Sequence, residues 1–230
     1  MRLRLPEERP TEPPTGYKIA HAALSQDGSR AGFLGISLGA ALPYGVLDDA
    51  HCAYGRRHRS PSRLCDCGFH CLHARAEAEA LTCTAEHRGA LLLEVAVLGR
   101  YIRFERGMRY ARQRVGIATA GPCRCRRRAT GLADAGRGRP GWRVVEPVCA
   151  VCAGSRATVA FDDFARRGGA GLKVLAAPAV DAGAPEPGRT FPELVAEAAL
   201  LQARLDWFQS ELVRLGDNGD PRQGDWLHKD

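Results

Sequence analysis

Between residues 51 and 71 the chain carries His51, Cys52, His58, Cys65, Cys67, His70 and Cys71 among Gly, Pro, Ser and Arg. Thiolate and imidazole are soft donors, and at this density they suit a Zn²⁺ knuckle. Cys52, His58, Cys65 and Cys67 form the preferred ligand set, because three thiolates and one imidazole complete a closed tetrahedral structural site. The loop Arg59-Ser60-Pro61-Ser62-Arg63-Leu64 is polar and bends easily between them. His51, His70, Cys71 and His73 are competing donors, with Cys71 expected to face the core. Cys83 stands alone and reads as a buried thiol. A second group follows: Cys123-Arg124-Cys125, then Cys149-Ala150-Val151-Cys152. Two pairs, the second Cys-x-x-Cys, make a zinc-ribbon pattern. The alternative is a redox pair, but the strand-then-helix context of a thioredoxin-like motif is missing. Both sets consume their thiolates as ligands and leave no open coordination position. Two structural Zn²⁺ ions are expected, and no catalytic residue is assigned.

Positioning these donors requires a scaffold. Four prolines with Glu, Arg and Thr mark residues 1–16 as a disordered tail. An α+β domain carrying the first site is expected over 17–120. Its elements are a strand at 17–23, a turn at 26–29, apolar glycine-spaced chain at 31–42, a short helix at 73–81 and a buried strand at 90–98. Gly99 is read as interrupting that strand. Alternation on both sides of Arg106-Gly107 predicts a β-hairpin with Arg on its outer face. Residues 121–167 form the ribbon-like segment, with a strand at 142–146 and a short strand and helix at 158–167. Gly, Ala and Pro make 168–189 a linker. The fold class is thus a small mixed or antiparallel sheet with a zinc knuckle, a zinc-ribbon-like segment and a long C-terminal helix.

That helix spans 190–216, followed by a tail at 217–230. Thr190 and Glu193 form a capping box, Pro192 lies in the first turn, and Gly216 ends it. Phe191, Ala198, Leu205 and Leu212 recur every seven residues, as do Leu194, Leu201, Phe208 and Leu215. They fill the a and d positions of a heptad, with Glu197, Arg204 and Glu211 at g and Val195, Gln202 and Gln209 at e. A coiled-coil homodimer or partner helix through 191–215 fits this pattern. So does an amphipathic helix docked on its own domain, because periods of 3.5 and 3.6 differ by only about 20° per heptad.

Charge bears on partners. The formal net charge is +7, and of 33 basic residues only Lys18, Lys173 and Lys229 are lysines. Arg binds phosphate and carboxylate in bidentate fashion, which favours acidic ligands. Arg124, Arg126, Arg127, Arg128, Arg137, Arg139 and Arg143 surround the second cysteine group, with Asp134 the acid among them. Arg100, Arg103, Arg106, Arg109, Arg112 and Arg114 interleave with Tyr101, Phe104 and Tyr110. Basic residues alternating with aromatics suit phosphate contact with base stacking. The candidate nucleic-acid contacts are Arg103, Arg109, Arg124, Arg126, Arg127, Arg128, Tyr101 and Tyr110. A solvated Arg-rich surface is the other reading. No apolar signal-peptide core opens the chain, and no run approaches the roughly 20 apolar residues of a membrane helix. Clustered cysteines then fit a reducing cytoplasm, and no membrane partner is expected.

Cys52…His58…Cys65-Asp66-Cys67-Gly68-Phe69, the following helix, the strand at 91–98, Gly99 and Arg106-Gly107-Met108-Arg109 resemble a group of uncharacterised actinobacterial and phage proteins. Glu146-Pro147-Val148-Cys149-Ala150-Val151-Cys152 is similar to the Cys-pair segment with which many of these continue. The resemblance covers roughly residues 17–155 and implies the same two ligand sets. It departs at Cys123-Arg124-Cys125, where the gap is one residue, and at Met108, where an aromatic is usual. A weaker likeness to ADP-ribosyltransferases rests on His21, Gly68-Phe69-His70 and Glu94 or Glu105. Arg112-Gln113-Arg114 stands where that family has its Glu-bearing motif.

Catalytic motifs are otherwise scarce. Gly-x-Ser-x-Gly, a Walker loop and His-Glu-x-x-His are absent from the sequence, and Asp48-Asp49 and Asp162-Asp163 read as solvated turns. The leading expectation is a non-catalytic zinc-binding interaction or regulatory module associated with nucleic acid. The alternatives are an NAD-using ADP-ribosyltransferase-like enzyme and an adaptor that dimerises through its C-terminal helix.

Overall fold

The computed structural model describes residues 11–36, 42–52, 55, 57–178 and 190–217. Readings that fall on 1–10, 37–41, 179–189 and 218–230 lie outside the described residues.

The scaffold grows from β1 (Thr15–Ser25), whose sequence is apolar on both faces. Ala20, Ala22 and Leu24 line the principal core, while Ile19 joins a second cluster with Ala78, Ala90 and Leu92. A strand covered on both sides tends toward an apolar run, and this one is apolar from Ile19 to Leu24 apart from His21. β2 (Ala31–Gly35) folds back on β1 across the 26–29 turn, and β3 (Pro43–Tyr44) and β4 (Leu47–Asp49) follow. β5 (Phe69–Leu72) leads into α1 (Arg75–Ala80) and a 3-10 turn at Leu81–Cys83. β6 (Leu91–Arg103) and β7 (Gly107–Ala120) form the long hairpin that alternation predicts. Leu91, Leu93, Val95 and Val97 of β6 enter the principal core at period two, and Leu92 enters the second cluster. Gly99 does not end β6. It takes φ +69° within a register shift between Leu98 and Tyr101, and pairing with β7 continues to Arg103.

β8 (Gly131–Arg139) and β9 (Trp142–Val148) form a second hairpin. α2 (Ala150–Ala153), β10 (Thr158–Val159), α3 (Phe161–Gly168) and β11 (Lys173–Ala176) complete the domain before α4 (Phe191–Asp217). All eleven described strands belong to one sheet, antiparallel except where β11 runs parallel to β7. β1 pairs with β6 and β5, and β7 pairs with both, so these four strands close a hydrogen-bonded ring around the core.

Expectations about the sheet and the linker are corrected as well. The sheet is not small: β9 pairs with β1 through Ala22–Val145 and its neighbours, so the ribbon-like segment joins the main sheet. The linker reading at 168–189 fails where β11 pairs with β7 and Leu172 and Val174 enter the core. Asp48 and Asp49 lie in β4, where Asp48 accepts from Gly45 N at 2.9 Å. The capping box is present: Glu193 Oε2 accepts from Thr190 N at 2.7 Å and from Thr190 Oγ1 at 2.9 Å.

Candidate metal centres

Four strand ends converge on the first site. Cys52 follows β4, His58, Cys65 and Cys67 lie in the loop before β5, and the β6–β7 hairpin flanks them. One donor atom from each of Cys52, His58, Cys65 and Cys67 lies within 4.8 Å of every other. Cys52 Sγ and Cys65 Sγ are 3.8 Å apart, and His58 Nε2 stands 3.0 Å from Cys67 Sγ. Thiolates about 2.3 Å from one ion at tetrahedral angles stand about 3.8 Å apart. The sulfur separation fits that edge and is far beyond a disulfide bond. Burial raises the Cys65 thiol above its ordinary range. Stabilising its thiolate falls to an ion or a neighbouring positive charge.

The loop is held from β7. Arg109 is 8% exposed, and its guanidinium donates to Cys65 O at 2.5 Å and Ser62 O at 2.9 Å, with Asp66 Oδ1 at 3.3 Å. From β6, Arg100 donates to Arg59 O at 3.2 Å and Ser60 O at 3.4 Å. Gly68 takes φ +123°, and a Cβ there would meet Arg109 Cγ at 3.0 Å. The glycine after the ligand pair therefore leaves room for the bracing arginine.

The second site joins two knuckles across the β8–β9 hairpin. Cys123, Cys125, Cys149 and Cys152 bring their sulfurs within 4.8 Å of one another, with Cys125 and Cys149 at 3.5 Å. The first knuckle is a tight turn: Arg126 N donates to Cys123 O at 2.7 Å and Cys123 N to Arg127 O at 2.9 Å. Arg126 holds φ +68°, a left-handed conformation unusual for a side-chain-bearing residue. In the second knuckle Cys149 caps α2, and Cys152 N donates to its sulfur at 3.4 Å. That backbone donor, with thiol hydrogen bonds, brings the Cys149 thiol down to about 6. Hydrogen bonds to Cys125, Cys123 and Cys149 push Cys152 up to about 12. Four sulfurs this close cannot all ionise without a cation between them. Cys123 and Cys149 are buried, whereas Cys125 and Cys152 face solvent.

Of the competing donors, His51 lines a depression with Cys52 and His58 but is not one of the four clustered donors, and Cys71 and His73 lie apart. Cys71 faces the core, and burial first raises its thiol to about 11. His73 Nε2 is 3.0 Å from Phe104 O. Cys83 is half-buried, not enclosed.

The candidate nucleic-acid residues divide. Tyr110 is fully buried, and its hydroxyl donates to Gln113 Oε1 at 2.9 Å, so it has no face for a base. Arg109 is committed to the 59–67 loop. Both assignments are corrected, because β5 and the 59–67 loop cover this end of β7. Tyr101 is half-buried against the core, and Arg103 is exposed. Arg124, Arg127 and Arg128 are exposed and Arg126 half-exposed. Arg124 pairs with Glu146 Oε2 at 3.1 Å. Beyond them Arg137, Arg139 and Arg143 line a shallow depression with Trp142 and Asp134.

Sequence reasoning missed three features. Arg109 carries no local mark as a brace, since it sits in an alternating Arg-rich strand. Lys18 Nζ stands 4.8 and 4.9 Å from the ring centres of Tyr44 and Phe69, with burial lowering it to about 8. His21 and His87 pack with ring centres 6.0 Å apart, and Arg137 Nη2 lies 3.4 Å from His21 Nδ1. His21 points away from the principal core, against which Phe69 packs. The residues aligned with ADP-ribosyltransferases are thus split between two faces of the sheet. Comparison with protein-family models, curated proteins and solved structures finds no match for this chain. No helix among the described residues is long and apolar enough to cross a membrane.

Proposed function

We propose that the protein is a non-catalytic binding module, built on two structural Zn²⁺ ions, that holds nucleic acid through phosphate contacts. The observation that carries it is the pair of closed four-donor clusters beside exposed arginines. Donor sets of three thiolates with one imidazole and of four thiolates are those zinc takes in structural sites. With a divalent ion the first set carries a net charge of about −1 and the second about −2, counting thiolates as ionised. Arg109 answers the first charge locally, and Arg124 is neutralised by Glu146. Arg127 and Arg128 before the second hairpin and Arg137 and Arg143 on it are exposed and extend the positive surface. Trp142 is half-buried beneath them, with the Arg30 guanidinium 5.5 Å from its ring centre. That combination of exposed guanidinium groups and an indole at a shallow, open depression favours a phosphate backbone over an enclosed acidic small molecule. The resemblance to actinobacterial and phage zinc-cluster proteins supports the same ligand sets.

The test is elemental analysis with a binding titration. Two equivalents of zinc and a linear fall of log affinity with log salt support the reading. Metal-free protein with an unchanged fold overturns its first half, and salt-independent or absent binding overturns its second.

A further inference from the structure

Helix α4 is apolar on two sides, and its own domain covers only one. The helix packs against α1 and the Leu81–Cys83 turn. Ala196 is buried, and Glu193, Leu200 and Trp207 are half-buried. At about 100° per residue these four fall on one face. Phe191, Leu194, Leu201, Leu205, Phe208 and Leu212 fall roughly opposite and are 48–78% exposed. This outward stripe is the a/d series of the heptad, so the docked face and the seam are different surfaces. A helix whose only partner is its own domain turns its single apolar stripe inward. A continuous exposed stripe at heptad spacing marks an interface.

We infer that the protein is a homodimer joined by a parallel coiled coil of α4 with α4 of a second copy. The seam is self-complementary, as an isologous interface requires: each a and d residue meets its own counterpart across a two-fold axis. In the parallel register Glu197 faces Gln202 of the second copy and Arg204 faces Gln209, with no like charges opposed. The antiparallel register, which pairs Leu201 with Leu205, would set Arg204 against Arg204. From Phe191 to Leu212 the seam is about 30 Å long. Because it lies away from α1, a second copy reaches it without displacing the docked face. The inference is independent of the metal reading, since metal content is measured on the same samples.

Light scattering on the full chain decides it. The expected mass is twice 24.9 kDa, falling to 24.9 kDa for the L201E/L205E double variant. The variant's metal content and circular dichroism should be unchanged, because both leucines are exposed. A wild type that stays at 24.9 kDa at every concentration overturns the inference, as does a dimer that the double variant leaves intact. A monomer that dimerises only after removal of residues 218–230 means the tail occupies the seam, and also overturns it. Benzoylphenylalanine in place of Phe208 should cross-link to residues 205–212 of the second copy. Cross-links to 194–201 overturn the parallel arrangement.

Discussion

At the scale of single residues, Arg109 decides whether the first metal loop has a platform. Replacing it by Ala leaves Cys65 O and Ser62 O without their donor and a gap beneath the loop. Unfolding free energy is expected to fall by about 2–4 kcal/mol. One of two metal equivalents should leave at lower chelator concentration while the other is unaffected, as a metallochromic indicator would read. Arg109→Lys should not restore it, since a single ammonium cannot span two carbonyls as the guanidinium fork does. His21 sets an acid limit. Burial first, then Arg137 and His87, lower it from 6.5 to about 4. The native state therefore binds fewer protons than the unfolded chain between these values. Stability from this group is complete above about pH 6.5 and is lost as pH falls toward 4, by up to about 3 kcal/mol. Denaturant titrations of wild type and His21→Asn should differ in slope over that window, because both share the metal sites. The candidate donors were legible because cysteine and histidine declare their chemistry. The roles of Arg109, Tyr110 and His21 were not, because each depends on what a distant strand lays over it.

At the scale of elements, the second knuckle pair is the weakest unit without its ion. Its small cluster consists of Cys123, Ala133, Val148 and Cys149, so half of its core is candidate metal donor. Zinc can supply on the order of 10 kcal/mol to such a segment. Chelation is expected to strip amide-exchange protection from residues 123–130 and 149–156. Val144 and Val145 should keep theirs, because β9 is paired with β1 there. Uniform protection before and after chelation would sink the idea. This site should also empty before the first, since Cys125 and Cys152 face solvent whereas Cys65 and Cys67 are buried. β6, β7 and α4 were legible in alternation, heptads and a capping box. β8 and β11 were not. β8 is mostly Gly, Arg and Ala, and it is held by its register with β9, where a side chain at Gly138 would collide with the Trp142 backbone. β11 pairs with β7 across more than fifty residues of intervening chain, a contact that no local pattern encodes.

At the scale of the whole molecule, the proposed phosphate surface includes the exposed Arg127 and Arg128 beside the first knuckle of the second site. The R127E/R128E variant is expected to weaken nucleic-acid binding at all sequences and reduce the log–log salt slope by about 2, one unit per lost phosphate contact. A slope equal to wild type would assign these residues to a solvated surface. Two copies joined through α4 would present two such surfaces and raise the avidity for a long strand. Taken alone, the sequence determined the two donor sets, the long hairpin, the capped terminal helix and the excess of guanidinium charge. Each of these is written in residue type and short-range spacing. Only the tertiary structure decided that the ribbon-like segment joins the main sheet, that Arg109 and Tyr110 are withdrawn from solvent, and that the heptad-spaced apolar residues from Phe191 to Leu212 are exposed. Those facts turn on burial, and burial is set by which distant strands pair and which face they cover.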